Sequence, residues 1–240
     1  MIKNNWKDIW EKRSLDKNSL INKTKEEIFF ELKKTDGFDI SNNGLTIEDL
    51  LQQYKIVIEK YKSFFGNKNI ESLFEVGCGC GANLYLFEQD GIRTGGIDYS
   101  KTLSDIAKII LKSKDIICDE AKNLTIVSKY DVLLSNSVFS YFYDLNYSYS
   151  VLEKMFYKAN NAVFIQEIYD SDKEKEFMDY RIKNVEDYEN KYKNLPKLFY
   201  PKKFFIDFAE KNNMYIEIVN SNMTSYWNYP FIFDCYMYKK

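Results

Sequence analysis

Short apolar runs alternate with longer amphipathic runs from about residue 70 onward. Five apolar runs have the length of buried strands, and they cover residues 72–76, 94–98, 115–118, 130–135 and 162–168. The amphipathic runs between them predict helices over residues 82–90, 100–112 and 148–159. Because strand and helix alternate, we expect a parallel sheet with right-handed crossovers.

The pattern changes after the fifth predicted strand. A charged, tyrosine-rich segment over residues 169–195 predicts further helix, and residues 201–213 predict a helix with Pro201 in its first turn. Two apolar runs follow at residues 214–221 and 230–239 without a helix between them. We therefore expect these last two strands to pair antiparallel. The front of the chain, residues 1–66, predicts two or three helices.

Composition narrows the class of protein. A chain of 240 residues with 45% hydrophobic residues and a net charge of −2 has the composition of a globular protein with a sizeable core. A near-neutral charge does not favour a nucleic acid as partner. No apolar run approaches the roughly 20 residues of a membrane span, and the start of the chain lacks the apolar core of a signal peptide. We expect a cytoplasmic protein with reduced cysteines.

The most informative stretch is 73-LFEVGCGCGANLYLFEQDG-91, a predicted strand, a tight turn and a helix. Its glycines alternate at positions 77, 79 and 81, so the G-x-G-x-x-G spacing of dinucleotide-binding proteins does not fit, and no phosphate-binding loop motif is present. Such a turn lets backbone N–H groups approach a ligand. The Cys78-x-Cys80 spacing has no histidine and no second cysteine pair to complete a zinc site, so we predict no metal.

Four elements occur in the order found in one enzyme family. They are the E-x-G-x-G-x-G turn that begins at Glu75, Asp98 at the end of the second strand, Asp119 after the third strand, and the polar end of the fourth strand at Ser135. With these elements the chain resembles the class I S-adenosylmethionine-dependent methyltransferases. The resemblance covers residues 70–168 well, and residues 200–240 only as a closing pair of strands.

The resemblance implies a Rossmann-like α/β fold. We expect a seven-stranded, mostly parallel sheet with an antiparallel last strand and helices on both faces. Residues 1–66 would form an N-terminal helical cap, residues 67–240 the methyltransferase domain, and residues 169–195 a lid over the acceptor.

The resemblance also implies S-adenosylmethionine as cofactor and a set of residues that bind it. The glycines would approach its methionine part, Asp98 would accept hydrogen bonds from the ribose hydroxyls, Asp119 would accept one from the adenine amino group, and Glu75 and Ser135 would lie near the charged amino group. The predicted cofactor-binding residues are Glu75, Gly77, Cys78, Gly79, Gly81, Asp98, Tyr99, Asp119, Glu120 and Ser135.

The acceptor side of the site is less determined by the sequence. Many relatives carry a histidine after the fourth strand, where this chain has Tyr141. Methyl transfer to a neutral alcohol needs a base, and here Glu167, Asp170, a tyrosine or a lysine with a shifted pKa would have to provide it. An acceptor that is already anionic needs only capture and alignment, for which arginine is suited. We predict Tyr141 and Glu167 as catalytic residues and Arg13 and Arg181 as acceptor-binding residues.

The stretches 135-SNSVFSYF-142 and 199-FYPKKFF-205 look like those of methyltransferases that accompany bacterial surface-polysaccharide synthesis. This resemblance implies methyl transfer to an oxygen of a small acceptor, with an anionic one favoured, such as a sugar or phosphoramidate precursor of a surface polysaccharide. Nucleic-acid methyltransferases are disfavoured, because the proline-containing motif of the DNA amino-methylating enzymes is absent after the fourth strand. Two alternatives stay open: N-methylation of an amino sugar or small amine, and a regulatory protein that binds the cofactor without turnover. The sequence does not indicate an oligomeric state.

Overall fold

A computed structural model describes residues 4–38, 46–221, 223 and 225–240. Within them seven strands form one sheet in the order β3-β2-β1-β4-β5-β7-β6. The strands are β1 (Ser72–Val76), β2 (Arg93–Asp98), β3 (Ile116–Cys118), β4 (Tyr130–Asn136), β5 (Ala159–Tyr169), β6 (Met214–Asn220) and β7 (Ile232–Lys239). Strands β1 to β5 pair in parallel, and β7 runs antiparallel to both of its neighbours, β5 and β6. The predicted Rossmann-like sheet with an antiparallel last strand is confirmed.

The described residues form nine α-helices. They are α1 (Trp6–Trp10), α2 (Lys25–Thr35), α3 (Ile47–Phe64), α4 (Ala82–Gln89), α5 (Lys101–Ile110), α6 (Leu145–Lys158), α7 (Glu174–Asn184), α8 (Tyr188–Tyr192) and α9 (Lys202–Lys211). Several begin where side-chain oxygens satisfy the free N–H groups of the first turn. Thr24 and Thr46 each form a capping box, with Glu27 and Asp49 respectively, and Ser100 caps α5 as the sequence suggests.

The late segment is helical as predicted, but its helices are short and separate. Residues 169–195 do not form one continuous helix: β5 extends to Tyr169, a 3₁₀ turn follows at Ser171–Lys173, and α7 and α8 are separate. The break falls at Asp187, whose φ of 53° is left-handed and cannot continue a right-handed helix. The division into a cap over residues 1–66 and a domain over residues 67–240 stays a prediction, and residues 1–3 and 39–45 of that cap lie outside the described residues.

Two layers of apolar side chains sandwich the sheet. Successive residues of a strand point to opposite faces, so Phe74 and Leu133 join one core with α6 and α9, while Leu73 and Leu134 join the other with α3, α4 and α5. Because both faces are covered, β1 is buried along its whole length. This arrangement leaves the carboxyl edge of the parallel strands as the place where polar residues gather.

Two non-glycine residues at that edge have left-handed backbone conformations. Ser137, directly after β4, has a φ of 59°, and Glu167 has a φ of 58° within β5. The pairing of β5 with β7 shifts register between Ile165 and Ile168, so Glu167 lies in a bulge of the strand. Non-glycine residues in the left-handed region cost about 1–3 kcal/mol and are typical of functional sites.

Candidate functional site

A cavity opens at the carboxyl ends of β1, β2 and β4 and extends to Glu167 in β5. The structure brings ten of the predicted site residues together in its wall: Glu75, Gly77, Cys78, Gly79, Asp98, Tyr99, Asp119, Glu120, Tyr141 and Glu167. Cavities at this edge are the usual ligand sites of open α/β sheets. The cofactor and acceptor predictions therefore fall on one continuous cavity.

The glycine turn after β1 has no room for side chains. Gly77 and Gly79 have φ values of 76° and 54°, and a Cβ on either would lie 2.3 Å from its nearest neighbour, Val138 Cγ2 and Asp36 Oδ1 respectively. Gly81 has a different role. It precedes α4 with a φ of 85°, and a Cβ there would meet Leu111 in the core rather than the cavity.

Carboxylates already accept two N–H groups of this turn. The N–H of Gly79 donates to Asp98 Oδ2 at 2.9 Å, and the N–H of Cys80 donates to Asp36 Oδ1 at 2.7 Å. Asp98 Oδ1 also accepts from the N–H of Ser100 at 2.8 Å, which fixes the side chain at the end of β2. At these two positions the turn presents acidic side chains to the cavity rather than free N–H groups.

Three carboxylates thus surround the turn. Burial raises the pKa of Glu75 to about 7 and the pKa values of Asp36 and Asp98 to about 6, and the three groups also repel one another. Glu75 is only 1% exposed; its Oε1 accepts from Asn83 Nδ2 at 2.6 Å, but its buried Oε2 has no partner. Lys33, which also lines the cavity, is a cation that lowers the pKa of both Glu75 and Asp36. Such a site favours a ligand with positive charge.

A second acidic pair lies at the opposite side of the turn, after β3. Asp119 is exposed, and its Oδ1 accepts from the N–H of Glu120 at 2.7 Å and from Asn123 Nδ2 at 2.8 Å. Glu120 Oε2 accepts from the hydroxyl of Tyr147 at 2.9 Å. The hydrogen bond from Asn123 lowers the pKa of Asp119, so this carboxylate is ionised at neutral pH.

Aromatic side chains form the wall on the acceptor side. Tyr141 contacts Trp6 and Trp10 edge to face, with ring centroids 4.7 and 5.6 Å apart. The Nζ of Lys197 lies 3.9 Å from the centroid of the Tyr141 ring and 5.0 Å from those of Trp6 and Tyr169. Burial lowers the pKa of Lys197 to about 7, an effect to which Arg181 adds and which Glu167 opposes.

Two side chains hold Glu167 in its strained position. Gln53 of α3 donates from Nε2 to Glu167 Oε1 at 2.6 Å, and the backbone N–H of Glu167 donates to Asp234 Oδ1 at 2.9 Å. Burial raises the pKa of Asp234 to about 7. The carboxylate of Glu167 is 7% exposed and faces the cavity.

The remaining predicted residues do not line the cavity. Ser135 is buried and donates from its hydroxyl to the carbonyl of Val76 at 3.0 Å, so it joins β4 to β1. The guanidinium of Arg13 lies 5.9 Å from the Trp10 ring. That of Arg181 lies 4.6 Å from the Trp227 ring, and its buried Nε has no hydrogen-bond partner. Arg181 is close enough to the acceptor wall to lower the pKa of Lys197.

Sequence reasoning missed several residues of the cavity. Lys33 and Asp36 come from α2 and the residue after it, and Gln53 comes from the middle of α3. None belongs to a motif, and the residue types are common in helices and their ends. Lys197 does not line the cavity but contacts Tyr141, which does. The sequence suggests a lysine with a shifted pKa without saying which one, because the residues that surround Lys197 are distant in sequence.

Comparison with known protein families places the cavity in a recognised domain. Residues 74–169 match the model of a methyltransferase domain family. The chain therefore contains a methyltransferase domain over these residues. The match to this family spans the glycine turn, Asp98, Asp119 and Glu167, so the ten predicted residues in the cavity wall all lie within the matched domain. Comparison with curated protein sequences gives no match.

Solved structures with the same fold support S-adenosylmethionine as the cofactor of this methyltransferase. The plantazolicin methyltransferase BpumL with bound SAH is 17% identical, with a TM-score of 0.61 over 90% of this chain and 94% of that one. Magnesium protoporphyrin IX methyltransferase from Synechocystis PCC 6803 with SAH is 12% identical, with a TM-score of 0.58 over 90% and 100%. The amino pentose methyltransferase CalS10 from Micromonospora echinaspora with SAM is 7% identical, with a TM-score of 0.60 over 79% and 91%.

The cavity of this methyltransferase fits the cofactor on its own evidence. The unpartnered Oε2 of Glu75 offers a buried acceptor for an ammonium group, and the backbone of Gly77 and Gly79 lines the cavity beside it. Within the described ranges no group of three or more His, Cys, Asp or Glu side chains could hold a metal ion. No helix of the described chain has both the length and the apolar character of a membrane span.

Proposed function

We propose that this methyltransferase transfers the methyl group to an oxygen of a small anionic acceptor, such as a sugar acid, sugar phosphate or phosphoramidate used for a surface polysaccharide. One observation carries the proposal. Lys197 contacts the ring of Tyr141, which lines the cavity, and the rings of Trp6 and Tyr169, and no carboxylate within the described residues forms an ion pair with it.

The charge of this wall favours an anion. Burial and the nearby Arg181 both destabilise the ammonium form of Lys197, which holds its pKa near 7. A bound anion would restore the charged form, and the gain in charge would contribute to acceptor binding. Arg181, stacked on Trp227 with its buried Nε unpartnered, would add a second cation that does not titrate.

The chain's own residues would align the acceptor and exclude water. When bound, S-adenosylmethionine supplies an electrophilic methyl group, which the acceptor oxygen attacks in line with the carbon–sulfur bond. Burial raises the pKa of Tyr141 far above its ordinary value, so its hydroxyl stays protonated and would donate a hydrogen bond to the acceptor. An ionised oxygen needs no base. For a hydroxyl acceptor, the uncharged amine of Lys197 would take the proton.

The second candidate function is N-methylation of an amino sugar or small amine. It is favoured by Glu167, a carboxylate that faces the cavity and that Gln53 holds in place. A cationic amine could pair with this carboxylate before it loses its proton. The amino pentose methyltransferase with the same fold acts on this class of acceptor.

An acceptor panel with methyl-labelled S-adenosylmethionine separates the two functions. The panel contains uronic acids, sugar phosphates, nucleotide sugars and phosphoramidates on one side and amino sugars on the other. We expect label on oxygen of the anionic compounds, located by mass spectrometry. Label on amino sugars alone would replace O-methylation by N-methylation.

The anion-binding role has its own control. Arg181→Ala should raise the KM for an anionic acceptor at least about tenfold, as expected for loss of a charged partner, with a smaller change in kcat. Arg93→Ala is the matched control, since Arg93 donates to the carbonyl of Lys129 and lies over Tyr130 at the start of β4, whereas Arg181 lies near Lys197. An unchanged KM in Arg181→Ala would remove Arg181 from the acceptor site.

A further inference from the structure

Helix α2 contributes two oppositely charged side chains to the cofactor cavity. Lys33 lies in its last turn and Asp36 is the residue that ends it, so the two are three positions apart and lie on neighbouring parts of one face. Both line the cavity together with Glu75 and Gly79. Neither belongs to the strand-end positions on which the family's motifs lie.

The position of Asp36 is fixed by the glycine turn itself. Its Oδ1 accepts the N–H of Cys80 at 2.7 Å, and it would lie 2.3 Å from a Cβ placed on Gly79. The carboxylate therefore stands against the narrowest part of the turn, where the backbone approaches the ligand. It is only partly exposed, and burial raises its pKa to about 6.

A second, independent observation points to a ligand at the same place. The Oε2 of Glu75 is buried and has no hydrogen-bond partner, although Oε1 of the same carboxylate is bonded to Asn83. Buried carboxylate oxygens are almost always paired. Glu75, Asp36 and Lys33 all line the same cavity, so two acids and one cation face the same space.

We propose that α2 holds the amino-acid end of the cofactor: Asp36 and Glu75 bind its ammonium group, and Lys33 binds its carboxylate. The ammonium group of the zwitterion then faces two carboxylates, and its carboxylate faces one lysine, so each charge meets groups of opposite sign. The N-terminal helical segment would thus recognise the amino acid, while the strand ends recognise the nucleoside.

Support of the turn alone does not account for an acid at position 36. Accepting the N–H of Cys80 requires only an oxygen, which an asparagine would offer without the cost of burying a charge beside Glu75 and Asp98. An ammonium group between the carboxylates removes that cost. This difference makes Asp36→Asn an informative substitution, because the side-chain oxygen that holds the turn is kept and only the charge is lost.

The test compares two ligands that differ only at the amino-acid end. S-adenosylhomocysteine carries the zwitterion, and 5′-methylthioadenosine has the same nucleoside and sulfur without it. Isothermal titration calorimetry on the full chain should show that Asp36→Asn and Lys33→Met each weaken S-adenosylhomocysteine about ten- to a hundredfold, as for the loss of a charged hydrogen bond. Binding of 5′-methylthioadenosine should change by less than about twofold.

Lys34→Met is the matched control for Lys33→Met. Lys34 is the residue after Lys33 in the same helix, but it pairs with Glu31 and does not line the cavity. Its loss should therefore affect the binding of neither ligand. Thermal melts of each variant establish that the fold is retained. If Asp36→Asn weakens the binding of both ligands equally, Asp36 only supports the turn and the proposal is wrong. An unchanged affinity for S-adenosylhomocysteine in both Asp36→Asn and Lys33→Met would also overturn it. The titrations need no acceptor, so they stand whether or not the acceptor panel succeeds.

Discussion

Replacing Glu75 by glutamine should stabilise the ligand-free methyltransferase at pH 8 while weakening its cofactor site. Burial raises the pKa of Glu75 from its ordinary 4.5 to about 7. At about 1.4 kcal/mol for each pH unit between those values, keeping this carboxylate ionised above pH 7 costs about 3 kcal/mol of unfolding free energy. Glutamine carries no such cost, and its Oε1 can still accept from Asn83.

The sign of the pH dependence follows from the two pKa values. Below about pH 4.5 the carboxyl group is protonated in both the folded and the unfolded chain, so the wild type carries no cost of burying a charge there. Between about 4.5 and 7 the unfolded chain releases the proton first, and the wild type loses stability relative to the variant. The new amide group would lack a partner and cost about 1 kcal/mol, which leaves a net gain of about 2 kcal/mol at pH 8.

Thermal unfolding followed by circular dichroism measures this gain. For a chain of this length, about 2 kcal/mol corresponds to a rise in Tm of about 4–8 °C at pH 8, whereas below pH 4.5 the unpartnered amide alone should lower the Tm by about 2–4 °C. Glu71→Gln is the control, because Glu71 is exposed next to the start of the same strand and should give no pH-dependent difference. Equal or lower stability of Glu75→Gln at pH 8, or a difference independent of pH, would refute the assigned burial cost.

Three further outcomes follow from the same cavity. Asp98→Ala should weaken S-adenosylhomocysteine and 5′-methylthioadenosine alike by about tenfold or more, since the ribose is common to both; calorimetric affinities equal to wild type would contradict this. Gly77→Ala should lower the free energy of unfolding in urea by about 2 kcal/mol or more, because its Cβ would clash with Val138. Gly91→Ala is the comparison: its φ is 79° and no atom lies within 4 Å, so it should lose only the conformational cost of about 1 kcal/mol. Binding of S-adenosylhomocysteine should release protons near pH 6.5, because the three carboxylates with raised pKa become ionised around the ligand. Calorimetric titrations in buffers of different ionisation enthalpy measure this release, and a binding heat that is the same in every buffer would contradict it.

The cofactor half of the site could be predicted because its parts are local in sequence. The glycine turn, Asp98 and Asp119 each follow a strand that the apolar pattern identifies, and parallel strands bring their carboxyl ends to one edge. Fold and strand order then place these residues together without any knowledge of side-chain packing.

The acceptor half could not be predicted in the same way. Its wall joins Trp6, Tyr141 and Lys197, three segments whose contact depends on how loops pack rather than on periodicity. Lys197 is one of 34 basic residues, and nothing in its neighbours in sequence marks it. Asp36 likewise precedes a glycine at the end of a helix, where acidic residues are common. Its contact with the turn after β1 depends on tertiary packing and could not be predicted from the sequence.

The short helix α1 is bound to the segment before α9 by its own first residues. Trp6 donates from its indole nitrogen to the carbonyl of Pro196 at 2.7 Å, and the N–H of Asn5 donates to the carbonyl of Asn194 at 2.9 Å. A helix of five residues has no stability in isolation, so it owes its order to these contacts and to Tyr141. Asn4 and Trp10 of this segment also line the cavity, so part of the cavity wall is held in place by a carbonyl 190 residues further along the chain. A substitution that displaces Pro196 would consequently loosen the wall around Tyr141 without touching any residue that lines the cavity.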